Sequence, residues 1–390
     1  MVRNNICYIA SAGAGKTTKL VKDAAINATN DSCKKIAIIT YTQNNQAHIR
    51  SKLEQYEFGY KIVVMGWFEF LLKHWITPFK TMIFPHLIDS HIGIAPVEGK
   101  SGIKKLPDGR TFVAYQKEDY SKKYLTTEGS KVYTDKISEL AYELYTRNET
   151  DVIERLNSIF DFLYFDECQD FVGYDYEILK ILLVKSKICC VLAGDPRQHT
   201  YSTHATSKYK KFSGDIATFI QENINRKRKQ YVIIDKTSLV KSHRCPPSIC
   251  NFANVIMSQF PKMESANMRY YQTEHCKLVR QKDAENYINR FNPIALIWNH
   301  SAKDKVHSNI SRIYNMGEVK GLDFLNIIVY PTKTMEKWIK DTNTELSREA
   351  RAKLYVAVTR AEISTGIVVP DDFHIPLNSK IQFWDNNSGI

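Results

Sequence analysis

Ala10-Ser11-Ala12-Gly13-Ala14-Gly15-Lys16-Thr17 decides how this chain is read. It follows a short apolar run, Ile6-Cys7-Tyr8-Ile9, that reads as a strand, and it precedes Thr18 to Ala28, which reads as a helix. Strand, small-residue loop, Lys-Thr and helix, in that order, is the context of a phosphate-binding loop. Gly13 and Gly15 let the backbone curl so that successive N–H groups, those of Ala12 and Ala14 among them, converge on phosphate oxygens. The helix that starts around Thr18 adds the positive end of its dipole. Lys16 is expected to reach the β- and γ-phosphates, and Thr17 to ligate Mg²⁺. Ala10 occupies a first position that is more often glycine.

A loop of this kind needs acids. Phe162-Leu163-Tyr164-Phe165 reads as a strand delivering Asp166-Glu167 at its C-terminal end. Adjacent strand residues point to opposite sides, so the two carboxylates can take two roles. Asp166 is expected to hold the metal, and Glu167 to orient and deprotonate the attacking water. A second strand, Ile188 to Ala193, ends in Gly194-Asp195-Pro196-Arg197-Gln198, where an open parallel sheet places its ligands. Gln198 is the expected γ-phosphate sensor. Arg244 and Arg360 stand beside apolar runs in the second half; taken singly, each reads as a surface or ion-pair residue.

Further strands are expected at Lys35 to Thr40, Lys61 to Met65, Tyr231 to Asp235, Ile294 to Trp298, Ile327 to Tyr330 and Gly366 to Val369, with helices at Gln46 to Leu53 and Ser138 to Tyr145. Strands alternating with helical stretches predict an α/β fold with doubly wound parallel sheets. From 76 to 155 Pro, Gly and Lys become frequent and apolar runs shorten, as in an inserted subdomain. The expected organisation is a first domain over 1–75 and 156–228, the insertion at 76–155, and a second domain over 229–390.

The 390 residues carry a formal charge of +12, which favours a polyanionic partner, nucleic acid first. Eight cysteines are scattered without a CxxC pair, so a zinc site is not expected and a reducing, cytoplasmic setting is. No apolar stretch approaches the roughly 20 residues of a membrane span, so no membrane partner is expected.

The ordered set of motifs resembles the superfamily 1A DNA helicases of the UvrD/Rep/PcrA type. The phosphate loop is similar to their motif I. Thr40-Tyr41-Thr42 looks like part of motif Ia, Asp166-Glu167-Cys168-Gln169-Asp170 like motif II, and Gly194 to Tyr201 like motif III. Ser242-His243-Arg244-Cys245-Pro246 resembles motif IV, Lys320-Gly321-Leu322-Asp323-Phe324 motif V, and Leu354-Tyr355-Val356-Ala357-Val358-Thr359-Arg360-Ala361 motif VI. The resemblance implies two RecA-like domains with ATP and Mg²⁺ between them, Arg244 and Arg360 as arginine fingers, His243 in the place of an adenine-stacking tyrosine, and Asp323 near the ribose. It implies movement along single-stranded or tailed duplex DNA, 3′ to 5′. Thr40, Tyr41, Thr42, Trp67, Phe68 and Tyr201 are the candidate DNA contacts, since rings stack bases where cations track phosphates; for Phe68 a core role is the simpler expectation.

The departures are informative. No Gln stands upstream of the phosphate loop to read adenine, and Thr203-His204-Ala205 replaces an aromatic platform. Only about a dozen residues, 302 to 314, stand where the family inserts its large 2B subdomain. An alternative function follows from these losses: a nucleotide-dependent regulatory subunit that gates a partner nuclease in anti-phage defence, with little unwinding. A nucleotide-binding module with no nucleic-acid role is the third reading, and motifs Ia, V and VI argue against it.

Overall fold

The computed structural model describes residues 4–30, 35–97, 99–108, 110–116, 119–199, 208–227, 229–267, 276–375 and 381–385. Tyr201 and the Thr203-His204-Ala205 segment lie outside the described residues. The chain divides into two compact units. The first comprises Met1–Tyr8, Thr17–Gly194 and Ser202–Ile234; the second comprises Ile9–Lys16, Asp195–Tyr201 and Asp235–Ile390.

The first unit opens with β1 (Asn5–Ile9), and the chain returns to it in α1 (Lys16–Ala28) after the phosphate loop, which belongs to the second unit. Next come β2 (Ile36–Thr40), α2 (Gln43–Leu53), β3 (Ile62–Gly66) and α3 (Trp67–Leu71). Every residue of β2 is buried, as a strand covered on both faces must be. Four short strands follow: β4 (Gly93–Ala95), β5 (Ile103–Lys105), β6 (Thr111–Val113) and β7 (Lys131–Tyr133), with α4 (Tyr120–Tyr124) between β6 and β7. β4 pairs with β7, and β5 with β6. Then come α5 (Ile137–Arg147), α6 (Glu149–Ile159), β8 (Phe162–Asp166), α7 (Asp175–Val184), β9 (Cys189–Gly194), α8 (Ile216–Asn223) and β10 (Val232–Asp235). The main sheet runs β10-β1-β9-β8-β2-β3, and its β3–β2, β2–β8 and β8–β9 pairings are parallel. The stretch expected as an insertion belongs to the first unit.

The second unit holds β11 (Lys241–Ser242), α9 (Pro247–Ile256), β12 (Glu264–Ser265), β13 (Cys276–Arg280), α10 (Ala284–Phe291), β14 (Ile294–Ile297) and β15 (Ile313–Asn315). They are followed by β16 (Phe324–Val329), α11 (Lys333–Lys340), α12 (Arg348–Val358), β17 (Ala361–Val369) and β18 (Gln382–Phe383). Its sheet runs β15-β14-β16-β17-β13-β18 with every pairing parallel. Side chains partition with period two. Ile294, Leu296, Ile327 and Val329 enter one core cluster, whereas Ala295, Ile297 and Ile328 enter another on the opposite face. This explains why β14 and the Ile327–Val329 end of β16 read as unbroken apolar runs. The expected α/β class with two parallel sheets is thus the observed one.

Two elements depart from expectation. β13 carries Lys277 and Arg280 in a five-residue strand and shows no apolar run, yet Lys277 is buried with its ammonium donating to Gln382 Oε1 at 3.1 Å. β17 begins at Ala361 rather than Gly366, because Ser364 and Thr365 are buried and hydrogen-bonded despite their polarity. Residues 302 to 314 run from a 3₁₀ turn, His300–Lys305, to the edge strand β15. Among the described residues no helix is long and apolar enough to cross a membrane.

Candidate nucleotide and nucleic-acid site

Gly13 and Gly15 adopt φ values of +69° and +80°, the left-handed conformations that bend the phosphate loop. The loop is fastened on one side by backbone bonds: Ser11 N–H donates to Leu239 O at 2.8 Å, and His243 N–H donates to Gly13 O at 2.9 Å. Packing there is tight. A Cβ on Gly13 would lie 2.7 Å from both Arg244 Cβ and Ser242 Oγ. On the other side the Ala12 N–H donates to the Tyr355 hydroxyl at 3.2 Å. Ala12, Ala14 and Lys16 are buried, and Thr18 is exposed.

Within the first unit, Thr17 Oγ1 donates to Asp166 Oδ2 at 2.7 Å. A hydroxyl and a carboxylate so placed are the hard oxygen donors that Mg²⁺ takes together with phosphate oxygens and water. The residues expected to hold the metal therefore fit it. Glu167 follows Asp166 with φ 58° and ψ 40°, a left-handed conformation uncommon for a non-glycine residue. Its N–H donates to Asp166 Oδ1 at 3.0 Å, and its carboxylate accepts from the Gln169 side-chain amide. Strain at such a residue, of order 1–3 kcal/mol, persists where the surroundings over-determine it and marks candidate functional positions. One constraint is Gly194: a Cβ there would come within 2.6 Å of Cys168 Sγ and 2.7 Å of Gln169 Oε1, so β9 passes the turn only as glycine. Burial pushes the Cys168 thiol far above its ordinary range, which leaves it inert.

In the second unit a fully buried carboxylate, Asp195, gathers three side chains. Its Oδ1 accepts from Arg197 Nη1 at 3.0 Å, and its Oδ2 accepts from Gln198 Nε2 at 2.9 Å and from the Tyr355 hydroxyl at 3.1 Å. Arg360 Nη2 donates to Gln198 Oε1 at 2.6 Å. Arg244 Nη1 donates to Thr359 O at 3.1 Å, and its other terminal nitrogen is ion-paired with Asp323. Arg244 Nε is buried with no hydrogen-bond partner among the described residues. Lys16, Gln198, Arg244 and Arg360 thus belong to one unit, with Arg244 against the phosphate loop and Arg360 on Gln198. His243 is exposed, and its backbone, not its ring, touches the loop.

The expected nucleic-acid contacts divide. Trp67 is a correction: it is 1% exposed and its indole N–H donates to Asp175 Oδ1 at 2.8 Å, so it offers no face to a base. An indole flanked by Phe70, Phe165 and Phe171 gains more from core burial than from a strand that binds and leaves. Thr40 is likewise buried at the end of β2. Thr42 is exposed and caps α2, accepting from Asn45 N–H at 3.2 Å. Tyr41 is half-buried, its ring edge-on to Phe68 and Phe171 and its hydroxyl donating to Asp175 Oδ2 at 2.9 Å. Phe68 is half-buried beside it.

Sequence reasoning gave no role to Asp175, Asp195, Arg197 or Tyr355. The last three sit inside quoted motifs, so a search for hydrogen-bonding side chains within those strings finds them. Asp175 carries no signal beyond an acid at the start of a helix.

A family model described as the viral superfamily 1 RNA helicase core domain matches residues 132–369, more than half of the chain. The matched stretch contains Asp166, Glu167, Gln198, Arg244, Asp323 and Arg360 and begins after the phosphate loop. No curated protein matches the chain.

Proposed function

Because the chain belongs to the viral superfamily 1 RNA helicase core family, we propose that it is an ATP-driven motor of the UvrD-like type, coupling hydrolysis to 3′-to-5′ movement on single-stranded or tailed duplex DNA. A superfamily 1 core is a nucleotide-dependent helicase or translocase domain. The choice of DNA rests on the resemblance of 40–42 and 354–361 to the UvrD-like motifs; the matched family's description names RNA.

The observation that carries the reading is the linkage of Arg360 to Gln198 at 2.6 Å, in a unit where Arg244 also abuts the phosphate loop. A guanidinium beside a curled, lysine-bearing loop, and a second that holds the Gln198 amide, suit the charge that develops on a transferring γ-phosphoryl group. In the proposed roles Lys16 binds the β- and γ-phosphates, Glu167 accepts the proton of the attacking water, and Gln198 orients that water. Arg244 and Arg360 balance the developing negative charge. Thr17 and Asp166 would hold Mg²⁺, which when bound would supply positive charge to offset that of the phosphates. His243 and Asp323 are proposed at the base and ribose, which requires Asp323 to exchange its ion pair with Arg244 for the sugar hydroxyl.

The test is ATP hydrolysis by the full chain with and without single-stranded DNA, run beside a tailed-duplex unwinding assay, each with a matched RNA arm. Stimulation by DNA with unwinding is expected, together with loss of turnover in Lys16→Ala. Stimulation without unwinding favours the regulatory subunit of a nuclease complex, and preference for RNA moves the substrate to that of the matched family's description. Turnover surviving in Lys16→Ala would mean the site is misassigned.

A further inference from the structure

We infer that the Tyr355 hydroxyl is a positioning group for hydrolysis, joining the Ala12 N–H of the phosphate loop to the Asp195 carboxylate that orients Gln198. The inference rests on the hydrolytic reading above and adds to it a residue that reading does not use.

Tyr355 lies on α12, 1% exposed. Its oxygen accepts from Ala12 N–H at 3.2 Å and its proton is donated to Asp195 Oδ2 at 3.1 Å. The same Oδ2 accepts from Gln198 Nε2 at 2.9 Å. Tyr355 and Gln198 therefore share one carboxylate oxygen, while Oδ1 is occupied by the Arg197 backbone N–H at 3.2 Å and its Nη1 at 3.0 Å. These bonds fix the Gln198 amide: its nitrogen faces Asp195 and its oxygen takes the Arg360 guanidinium at 2.6 Å. A continuous chain of hydrogen bonds thus runs from the loop backbone through Tyr355, Asp195 and Gln198 to Arg360, all within the second unit.

The hydroxyl is not a local staple. It bridges to partners 343 and 160 residues away, in two separate motif segments, and makes no bond within its own helix. Burial pushes the phenol far above its ordinary range, so it keeps its proton at any working pH and remains a donor to Asp195. Removing it would leave the buried Ala12 N–H without its acceptor and take one of two side-chain donors from Asp195 Oδ2, the oxygen that holds Gln198 Nε2. Hydrogen-bonded networks of this kind transmit such a loss to the far member.

The experiment is Tyr355→Phe in the full chain, which keeps the ring and deletes only the hydroxyl, with ATP hydrolysis measured at saturating single strand. The expected result is a fall in kcat of about tenfold with KM changed by less than about threefold and Tm within about 3 °C of the parent. Because the hydroxyl acts through Asp195 and Gln198, combining Tyr355→Phe with Gln198→Ala should lower kcat scarcely further than Gln198→Ala alone. A kcat within about twofold of the parent, a loss seen only as lower Tm, or fully multiplicative losses in the double variant would each overturn the inference. Should Tyr355→Phe fail to fold, Asp195→Asn reads the same link, with the same expected loss of kcat and the same non-additivity. Active parent enzyme with unaffected variants rejects this inference alone; a parent that hydrolyses no nucleotide rejects the hydrolytic reading and this inference with it.

Discussion

Gly13 stands where backbone geometry and packing ask for the same residue. Its φ of +69° is strained for any side chain, and a methyl group would strike Arg244 and Ser242 at 2.7 Å. Gly15, at +80°, has open space around its missing Cβ. Gly13→Ala should therefore cost about 2–3 kcal/mol of stability, conformational strain plus steric displacement, against about 1 kcal/mol for Gly15→Ala. Denaturant melts of the two variants measure the difference, and equal losses would contradict the contact with residues 242–244. At this scale the sequence was legible where chemistry is written in residue type. A lysine after two glycines, paired acids at a strand end and an arginine after Val-Thr announce themselves. It was illegible where a side chain acts by position. Nothing in the letters distinguishes the tyrosine of 355 from the other aromatic residues of the core, or assigns Trp67 to the interior rather than to a base.

At the scale of elements, Asp175 holds four of them together. It opens α7, and its carboxylate accepts from Trp67 Nε1 on α3, Tyr41 Oη after β2, the Val172 N–H and the Ser138 hydroxyl on α5. It is fully buried, so each donor would lose its partner with no water to replace it. Asp175→Ala should destabilise the protein by about 3–5 kcal/mol, and Asp175→Asn by less, since the amide keeps one acceptor. Chemical unfolding followed by tryptophan fluorescence checks both; an Asp175→Ala protein as stable as its parent would remove the hub from this account. The central strands were readable because a stretch buried on both faces is mostly apolar, as β14, Ile36–Ile39 of β2 and Ile327–Val329 of β16 are. β13 and the first half of β17 were not, because their polar side chains are buried against specific partners that only the folded chain supplies.

For the whole molecule, the charge of +12 sets the terms of encounter with a polyanion. If single-stranded nucleic acid is the track, binding should weaken at least about tenfold between ~50 and ~200 mM salt, since each neutralised phosphate releases counterions. Fluorescence anisotropy with a labelled oligonucleotide measures the slope, and salt-independent affinity would exclude a phosphate-tracking interface. The α/β class and the two parallel sheets were legible from alternating strand and helix signals alone. The partition of the chain was not. The sequence suggests one crossing from first to second domain near residue 229, whereas the backbone passes between the units after Tyr8, Lys16, Gly194, Tyr201 and Ile234.

That interleaving bears on how the protein can be dissected. A cut after Ile234 keeps every segment of the first unit on the N-terminal piece but splits the second: the C-terminal piece starting at Asp235 lacks Ala12, Asp195 and Gln198, which the N-terminal piece carries away from the helix and strands that hold them. An inactive form of the second unit is therefore to be sought among point variants rather than among truncations.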